Sequence, residues 1–378
     1  MSYFTPDEYT TRRNRLSAKM EAEGLDALLL FAPESQYWLT GYDTFGFCFF
    51  QCLIYTDGRT YLLTRSADMR QAQLTSNVGE IRVWVDGIDA PAAKLADWVA
   101  ELGLTGKRIG YETDTAGLTA MRGREVDAAL PGLVECNGLV DRLRLTKSEA
   151  EIAAVRRATE LGDIAYETAL PLIRPGNSEG VILDAMQGAV FANGGDYPGN
   201  PFIIGSGERA LLCRYTTGRR TLQAQDQLTL EWAGVEAQYH GALMKTVVIG
   251  EPTAHHVKMH AAAHEALLAC EDAMRPGNIM RDVYDAHVRV MADHDLDAHR
   301  LNACGYSMGA SYAPCWMDTH MFHAGAMTEM EAGMTFFLHM ILMDSESGTA
   351  MTLGRTSLIT ANGAEPLSRL SLELPCVG

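Results

Sequence analysis

The sequence predicts an N-terminal α/β domain followed by an α+β domain whose two halves are related by an internal pseudo-two-fold axis. Three observations lead to this prediction. Short apolar runs alternate with helical patterns over residues 7–130, a basic and polar stretch interrupts the pattern near residue 145, and Arg-Pro-Gly-Asn occurs twice, at 174–177 and 275–278. With 378 residues, 47% of them hydrophobic, the chain is long enough for two domains with separate cores.

The N-terminal domain is predicted from helix and strand signals that alternate along the chain. The first helix is charged and ends at Gly24, a residue suited to the left-handed conformation that closes a helix. A wholly apolar run follows and stops at Pro33, as expected for a strand covered on both faces. Asp57-Gly58 supplies the positive φ angles of a tight hairpin. The predicted helices are 7–23, 92–102 and 118–130, and the predicted strands are 27–31, 47–55, 60–64, 81–85 and 108–111.

The boundary between the two domains is placed after residue 145. Residues 143–148 are basic and polar, and Ser148 is followed three positions later by Glu151, which matches a helix capping box. Apolar residues then recur at helical spacing from 149 to 172. We therefore predict domains at 1–145 and 146–378.

The second domain contains an internal repeat. In each copy an amphipathic helix runs into the Arg-Pro-Gly-Asn sequence, a second helix starts after it, and strand-rich sequence follows. Two copies are too few for a solenoid, so the repeat predicts two halves that face each other across a shared sheet. A cleft between such halves is a natural site for a small ligand.

Composition excludes several classes of partner and site. The formal net charge of -17 disfavours nucleic acid as a partner. Eight cysteines without a C-x-x-C pair indicate free thiols, mostly buried, in a reducing compartment rather than a disulfide framework or a zinc site. The N-terminal sequence lacks the apolar core of a signal peptide, and no apolar run reaches the roughly 18 residues that span a bilayer. We expect a cytoplasmic protein that does not bind membranes.

The segment 226–250 predicts a hairpin that turns near residues 234–238. Glu231 and Trp232 then fall at the end of the first strand. A carboxylate buried there is destabilising unless it is paired, so Glu231 is either an edge residue, a partner for Lys245, or a functional carboxylate, which we favour. Tyr239 and His240 follow the turn and are more typical of a packed pair than of a catalytic one.

The Gly305-Tyr-Ser-Met-Gly309 segment fits the pattern of a hydrolase nucleophile elbow. That elbow requires a helix directly after the serine, and Pro314 stands where the helix would continue. We therefore interpret Gly305 and Gly309 as positions at which the backbone approaches a ligand closely. Aromatic side chains would form the walls of this ligand site, namely Tyr306, Tyr312 and Trp316.

Two histidine patterns remain. His256, His260 and His264 recur at every fourth position of a predicted helix, but no carboxylate completes a metal motif, so a solvated helix face is favoured. His339 interrupts an apolar strand that ends at Asp344. A single histidine in such a strand is usually a hydrogen-bonded core residue, but the repeat places it opposite the strand of Glu231, so both side chains could face one cleft.

These motifs together resemble the creatinase and prolidase superfamily over nearly the whole chain. The resemblance rests on Lys147-Ser148-x-x-Glu151-Ile152, the two Arg-Pro-Gly-Asn sequences, the Leu-x-Leu-Glu-x-Ala-Gly hairpin, Gly-Tyr-Ser-x-Gly and Gly-Met-Thr-Phe. It implies a small N-terminal α/β domain and a C-terminal pita-bread domain. It also implies a homodimer in which the N-terminal domain of one subunit helps to close the active site of the other.

The metallopeptidase branch of this superfamily binds two metal ions through two Asp, one His and two Glu. The matching positions here hold Glu231, Ala242, Tyr306, His339 and Gly354. Since only one carboxylate remains, the resemblance implies that no dinuclear metal centre forms, and we expect neither a metal nor another cofactor.

Metal-free members of the superfamily include creatinase and ectoine hydrolase, which hydrolyse a C–N bond at a guanidinium or amidinium carbon. The reacting carbon of such a substrate belongs to a positively charged group, so no Lewis acid is needed to polarise the C–N bond. The segments 38–43, 193–198 and 305–316 look more like ectoine hydrolase than creatinase. The alternatives are a creatinase-like amidinohydrolase, an Xaa-Pro dipeptidase with metal, and a non-catalytic binding module on the same fold.

The resemblance suggests a role for each site residue. Glu231 would act as nucleophile or general base, and His339 would act as proton shuttle. Tyr306 is the third candidate catalytic residue and would lie beside them. An aromatic box would hold the cation, with Trp38 and Tyr42 supplied by the other subunit, and an arginine would bind the carboxylate of the zwitterion. The candidate substrate-binding residues are Trp38, Tyr42, Tyr197, Arg214, Trp232, His240, Tyr312, Trp316, Asp344 and Arg355.

Overall fold

A computed structural model describes residues 3–216 and 219–378 of the chain. The chain divides into two compact units, Met1–Arg144 and Leu145–Gly378, and each is described by itself. The boundary inferred from the sequence lies one residue later.

Unit 1 is built on a six-stranded mixed sheet with strand order β4-β3-β2-β1-β5-β6. Strand β1 pairs antiparallel with β2 and parallel with β5, so the alternating α/β pattern of the sequence is confirmed. The strands are β1 Ala27–Leu30, β2 Cys52–Thr56, β3 Arg59–Arg65, β4 Glu80–Trp84, β5 Ile109–Tyr111 and β6 Val134–Glu135. The helices are α1 Pro6–Glu23, α2 Pro33–Thr40, α3 Met69–Thr75, α4 Pro91–Glu101, α5 Ala120–Ala129 and α6 Leu139–Leu145.

Local residue chemistry explains the ends of these elements. Gly24 closes α1 with a φ of 66°, and Asp57-Gly58 turns the β2–β3 hairpin with φ angles of 49° and 72°. Helix α2 was not predicted, because Pro33 was taken only as a strand end although proline is also favoured in the first turn of a helix. The strand predicted over 47–55 begins only at Cys52, since residues 46–48 form a 3₁₀ turn.

Unit 2 contains an eight-stranded mixed sheet with the order β10-β11-β12-β9-β8-β7, to which β13 and β14 add at β12 and β9. Its strands are β7 Ile203–Ser206, β8 Asp226–Glu236, β9 Tyr239–Ile249, β10 Gly305–Ser307, β11 Thr335–Asp344, β12 Thr349–Thr360, β13 Gly363–Pro366 and β14 Cys376–Val377. Its helices are α7 Glu149–Ala169, α8 Glu179–Ala192, α9 Ala254–Ala273 and α10 Met280–Asp293.

The two Arg-Pro-Gly-Asn sequences form the same turn, which confirms the predicted pseudo-symmetry. Gly176 and Gly277 both have a φ of 89°, a value that favours glycine. The Nδ2 of Asn177 donates to a backbone carbonyl at 2.8 Å, and that of Asn278 does so at 2.9 Å, in each case to the residue five positions earlier. Each turn separates a long helix from a shorter one, as the repeat indicated.

The cores are apolar. In unit 2 the helices pack against one face of the sheet, and two clusters of buried side chains fill the space around it. Cys52, Cys270 and Cys304 are buried, Cys48 and Cys376 are exposed, and none of the eight cysteines of the described chain forms a disulfide. Within residues 3–216 and 219–378, no helix has both the length and the hydropathy needed to cross a bilayer.

Candidate active site

Strand register brings four residues into one row across the sheet of unit 2. Glu231 on β8 lies opposite Met244 on β9, Met244 lies opposite Gly354 on β12, and Gly354 lies opposite His339 on β11. Residues that are directly opposite in a ladder share one face, so Glu231 and His339 belong to the same face. The hairpin turns at residues 237–238, within the predicted range, but its first strand continues to Glu236, so Glu231 is inside the strand and not at its end.

A hydrogen-bond chain connects Glu231 with two aromatic residues. The hydroxyl of Tyr306 donates to Oε1 of Glu231 at 3.3 Å, and Nε1 of Trp316 donates to the hydroxyl oxygen of Tyr306 at 2.9 Å. The three side chains are buried, with 6%, 3% and 1% of their surfaces exposed. The indole thus fixes the phenol, and the phenol orients the carboxylate.

The environment of Glu231 favours proton transfer near neutral pH. Burial raises the pKa of Glu231 to about 7, although the charge of Arg214 and the hydrogen bond from Tyr306 act in the opposite direction. Burial also raises the pKa of Tyr306 well above its usual value, so this phenol stays protonated. A carboxyl group with a pKa close to 7 can act as base and as acid in one reaction cycle.

His339 lies beside the same phenol. Its ring centroid is 5.5 Å from that of Tyr306 and 5.6 Å from that of Phe337. Burial, reinforced by the charge of Arg214, lowers the pKa of His339 to about 4, and its Nδ1 has no hydrogen-bond partner among the residues that the structure describes. At neutral pH this imidazole is uncharged and has a nitrogen available for a ligand or a water molecule.

The residues at the positions matched to the metal ligands do not fit a dinuclear metal centre. Ala242 and Gly354 have no donor atom in the side chain, and Tyr306 is engaged by Trp316. A Cβ added at Gly354 would lie 2.5 Å from the carbonyl oxygen of Leu338 and 3.0 Å from the Phe337 ring. This backbone therefore has no room for a glutamate at position 354. The described part of the chain holds no group of three or more His, Cys, Asp or Glu suited to a metal.

The two candidate arginines are in different environments. Arg214 is exposed, yet its charge influences the pKa of both Glu231 and His339, so it lies close to the site. Arg355 is on the opposite face of the sheet from Gly354 and forms a bidentate ion pair with Glu271 at 2.8 and 2.7 Å. The prediction for Arg355 is corrected, because its guanidinium is already occupied by a carboxylate of the protein.

Trp232 and Asp344 also point away from Glu231, because side chains alternate between the two faces of a strand. The Trp232 indole stacks on Tyr166 at 5.4 Å and donates to the carbonyl of Gly162 at 2.8 Å. Asp344 accepts a hydrogen bond from Ser347, which with backbone donors lowers the pKa of Asp344 to about 2. Both substrate-binding predictions are corrected, since these side chains stabilise the fold on the helix-covered face and at a turn.

Three predicted aromatic contacts are not found around Glu231. Trp38 and Tyr42 are each 1% exposed within a core cluster of unit 1, so neither side chain extends from the surface toward a partner subunit. Tyr197 is 78% exposed and its ring contacts Phe191 at 4.7 Å. The expectations for Trp38 and Tyr42 are corrected, because patterns of aromatic residues do not reveal whether a side chain is packed inward or exposed, whereas substrate contact by Tyr197 stays a prediction.

His240 and Tyr312 are buried near the site. Nε2 of His240 accepts a hydrogen bond from the amide of Gly199 at 2.9 Å, and its ring is 6.4 Å from that of Trp316. Burial lowers the pKa of His240 to about 4. Tyr312 is 6% exposed in the loop before Trp316. Substrate contact by either residue stays a prediction.

The other motifs have structural explanations. Ser307 is fully buried, its strand is not followed by a helix, and its Oγ accepts from the amide of His320, so the nucleophile elbow is excluded as expected. His256 is buried and bonds Gln227 at 3.0 Å, while His260 bonds the carbonyl of Leu372 at 2.9 Å. The prediction of a solvated face is therefore wrong for His256 and His260, because Gln227 of β8 and Leu372 of the C-terminal segment bind their rings.

A small pocket beside Glu231 was missed by the sequence analysis. Its lining is mostly apolar and includes Cys213, Met244, Ile341 and Met343. The hairpin pattern of the sequence was enough to predict that Met244 lies opposite Glu231. The pairing of β9 with β12 was not predictable in this way, because it depends on the fold.

Comparisons with known proteins place these features in a family. Residues 153–361 match the profile of metallopeptidase family M24, and residues 12–146 match that of the creatinase/prolidase N-terminal domain. The chain is 27% identical to ectoine hydrolase of Halomonas elongata over 98% of both chains. It is 28% identical to an uncharacterized hydrolase/peptidase of Sinorhizobium fredii, also over 98% of both, and 21% identical to the Xaa-Pro dipeptidase of Pyrococcus furiosus over 62% of this chain and 66% of the dipeptidase.

Solved structures show the same fold. The Xaa-Pro dipeptidase from Bacillus anthracis superposes with a TM-score of 0.84 at 21% identity, covering 98% of this chain and 100% of the other. The dipeptidase PepE from Mycobacterium ulcerans superposes with a TM-score of 0.85 at 23% identity, covering 99% of each chain.

Proposed function

The chain belongs to metallopeptidase family M24 and carries a creatinase/prolidase N-terminal domain, and from this membership we propose that it hydrolyses a C–N bond in a small amidinium or guanidinium zwitterion without a metal ion. M24 is a family of hydrolases, and ectoine hydrolase and Xaa-Pro dipeptidases are both among the relatives. The proposal includes two expectations from the sequence, a homodimer and a cytoplasmic location.

One observation carries the proposal. Glu231 is a buried carboxylate, and the other positions matched to metal ligands hold Ala242, Tyr306, His339 and Gly354. Peptide hydrolysis in a dinuclear site depends on metal-activated water, which these residues do not support. An amidinium or guanidinium carbon is already electron-poor, and a single carboxylate is sufficient to pair with its N–H groups.

The reaction begins with a water molecule that attacks the amidinium carbon. Glu231, as the carboxylate, accepts a proton from this water as the C–O bond forms, and the attacked carbon becomes tetrahedral. The C–N bond then breaks, and the leaving nitrogen takes a proton that His339 relays from Glu231. The carbonyl forms as the hydroxyl group on the attacked carbon loses its proton to the departing amine, so the products are an amide, or a urea from a guanidinium, and an ammonium ion.

The remaining residues would bind and orient the substrate. Tyr306 and Trp316 would offer aromatic surface to the cationic group, and Arg214, whose charge acts on Glu231 and His339, would bind the carboxylate of the zwitterion. The likeness to ectoine hydrolase supports a cyclic amidine of this kind as substrate.

Activity is expected to survive removal of metal ions. Purified protein is treated with a chelator, its Mn, Co and Zn contents are measured, and turnover of ectoine, creatine and related amidino acids is followed by amine release. We expect less than about 0.1 metal ion per chain and unchanged turnover, because the positions matched to metal ligands lack donors. Two tightly bound ions per chain, with cleavage of Xaa-Pro dipeptides that the chelator abolishes, would replace this proposal with a metallopeptidase.

The pH dependence of kcat/KM is expected to follow the titration of the Glu231 carboxyl group. Because the pKa of Glu231 is about 7 and the base form is required, kcat/KM should rise with pH through about 7 and level off above it. His339, with a pKa of about 4, should add no second transition between pH 5 and 9. A cationic substrate stabilises the carboxylate, so the rise in kcat should occur at lower pH than the rise in kcat/KM. A profile that falls through pH 7 would contradict the assignment of Glu231 as base.

A further inference from the structure

The segment that carries Trp316 lies outside the regular elements of unit 2. Residues 311–318 form no helix or strand, yet the Trp316 side chain is only 1% exposed. At the two ends of the segment, the amides of Ser311 and Asp318 donate to backbone carbonyls at 3.1 and 3.2 Å. The position of the indole therefore depends on how other parts of the chain hold the backbone between these ends.

The loop between α8 and β7 holds the backbone at Trp316. Oδ1 of Asn200 accepts a hydrogen bond from the Trp316 amide at 3.1 Å. Gly199 lets the two backbones touch, because a Cβ there would lie 2.9 Å from the Trp316 amide nitrogen and 3.0 Å from the carbonyl oxygen of Cys315. The loop itself is fixed by His240, whose Nε2 accepts from the amide of Gly199 at 2.9 Å. Burial lowers the pKa of His240 to about 4, so at neutral pH this nitrogen keeps its lone pair and can accept.

The contacts of the loop lead to the catalytic carboxylate through two further hydrogen bonds. The Trp316 indole donates to the hydroxyl oxygen of Tyr306 at 2.9 Å, and this hydroxyl donates to Glu231 at 3.3 Å. A displaced indole leaves the phenol without the donor that fixes its orientation. We propose that Asn200 and Gly199 are positioning residues of the reaction, which fix the backbone at Trp316 and thereby hold Tyr306 against Glu231. This inference rests on the proposed function and adds to it two residues that act through Trp316.

Loss of either contact should change both the rate and its pH dependence. A misplacement of about 1 Å in an active site can lower the rate about 100-fold, so kcat should fall at least about 10-fold. The hydrogen bond from Tyr306 lowers the pKa of Glu231, so a weaker bond raises that pKa. The midpoint of kcat/KM should then move upward by about 0.5 or more on the pH scale. A residue with a purely structural role would reduce the amount of folded protein and leave this midpoint unchanged.

The kinetic test compares two variants with a matched glycine control. Asn200→Ala removes the acceptor, and Gly199→Ala places a methyl group against the backbone at Trp316. Gly188→Ala is the control, since a Cβ at Gly188, in α8, would meet no atom beyond its own helix within 4 Å. The pH dependence of kcat and kcat/KM is measured on the amidino acid that wild-type protein turns over best. We expect the lower kcat and the higher midpoint in both test variants and neither change in the control. Wild-type values of kcat and of the midpoint in both test variants overturn the inference and leave the proposed function intact.

Hydrogen exchange of the Trp316 indole tests the same contacts without a substrate. Protein labelled with ¹⁵N-tryptophan is followed by NMR, and the Trp316 signal is identified by its loss in Trp316→Phe. This N–H is buried and bonded to Tyr306, so it should exchange slowly in wild-type protein and in Gly188→Ala. Exchange at least about 10-fold faster in Asn200→Ala and Gly199→Ala supports the inference.

The two measurements separate this inference from the proposed function. Unchanged exchange in both test variants overturns the inference, whether or not amidines are turned over. Faster exchange with an unchanged midpoint reduces Asn200 and Gly199 to a structural role and overturns it as well. If wild-type protein turns over no amidine but cleaves Xaa-Pro dipeptides, the proposed function fails, and the kinetic comparison is made on the dipeptide. If it turns over neither, the proposed function fails and the exchange rates alone decide whether the two residues position Trp316.

Discussion

Replacing Glu231 with glutamine is expected to lower kcat by about 10²- to 10⁴-fold, the range usually found when a general acid–base group is removed. Glutamine has nearly the same shape and can still accept the hydrogen bond that Tyr306 donates at 3.3 Å, but it cannot take a proton from water. Steady-state kinetics on the best amidino acid give the measurement. Glu236→Gln, near the turn of the same strand, is the matched control and should retain activity.

Stability provides an independent check on the same variant. The folded-state pKa of Glu231, about 7, is raised above the ordinary value of 4.5, so its contribution to stability is present below pH 4.5 and is lost as pH rises through 7. At pH 8 the buried carboxylate destabilises the fold, and Glu231→Gln should unfold at an equal or higher urea concentration than wild type. If the variant is folded and turns over every amidine as fast as wild type, Glu231 is not the catalytic base.

Replacing Arg355 with methionine is expected to destabilise the protein by about 3 kcal/mol and to leave KM within about twofold of wild type. The substitution leaves the carboxylate of Glu271 buried, and the hydroxyl of Ser357, at 2.8 Å, is then its only side-chain donor within residues 3–216 and 219–378. Urea unfolding measures the free energy, and initial rates of the folded variant measure KM. The double variant Arg355→Met/Glu271→Leu should recover much of the loss, because replacing a whole buried pair by apolar residues is often neutral.

An exposed pair gives the matched control for this experiment. Arg156 and Glu365 form a bidentate ion pair with both distances at 2.7 Å, but their side chains are 45% and 43% exposed. Arg156→Met should therefore change the free energy of unfolding by less than about 1 kcal/mol. A rise of about 100-fold in KM for Arg355→Met, at unchanged stability, would show that Arg355 and not Arg214 binds the substrate carboxylate.

The architecture was predictable because it depends on local signals. Gly24 and the Asp57-Gly58 pair need positive φ angles, and the two Arg-Pro-Gly-Asn turns recur with the same backbone conformation. The hairpin of Glu231 and the range of its turn, 234–238, were also predicted, but the first strand extends further than expected. The two central residues of the turn, 237 and 238, are alanine and glutamine with positive φ, and neither residue type favours that conformation.

The candidate site was predictable only in part. Glu231, Tyr306, His339 and Trp316 are in one neighbourhood, as the repeat and the family resemblance suggested. The remaining candidates were chosen by residue type near a motif. Residue type cannot distinguish Arg355, which is saturated by a protein carboxylate, from an arginine that is free to bind a ligand.

The amino-acid sequence alone predicted two domains and the internal repeat of the second, because these follow from periodicity and turn chemistry, and its family resemblance implied the pita-bread fold and the absence of metal-ligand residue types at positions 242 and 354. The tertiary structure decided which face of the sheet each candidate occupies, that the phenol of Tyr306 connects Glu231 with Trp316, and that a small, mostly apolar pocket lies beside Glu231. These facts depend on strand pairings between residues more than a hundred positions apart, such as Met244 with Gly354, and local sequence patterns do not encode such a register.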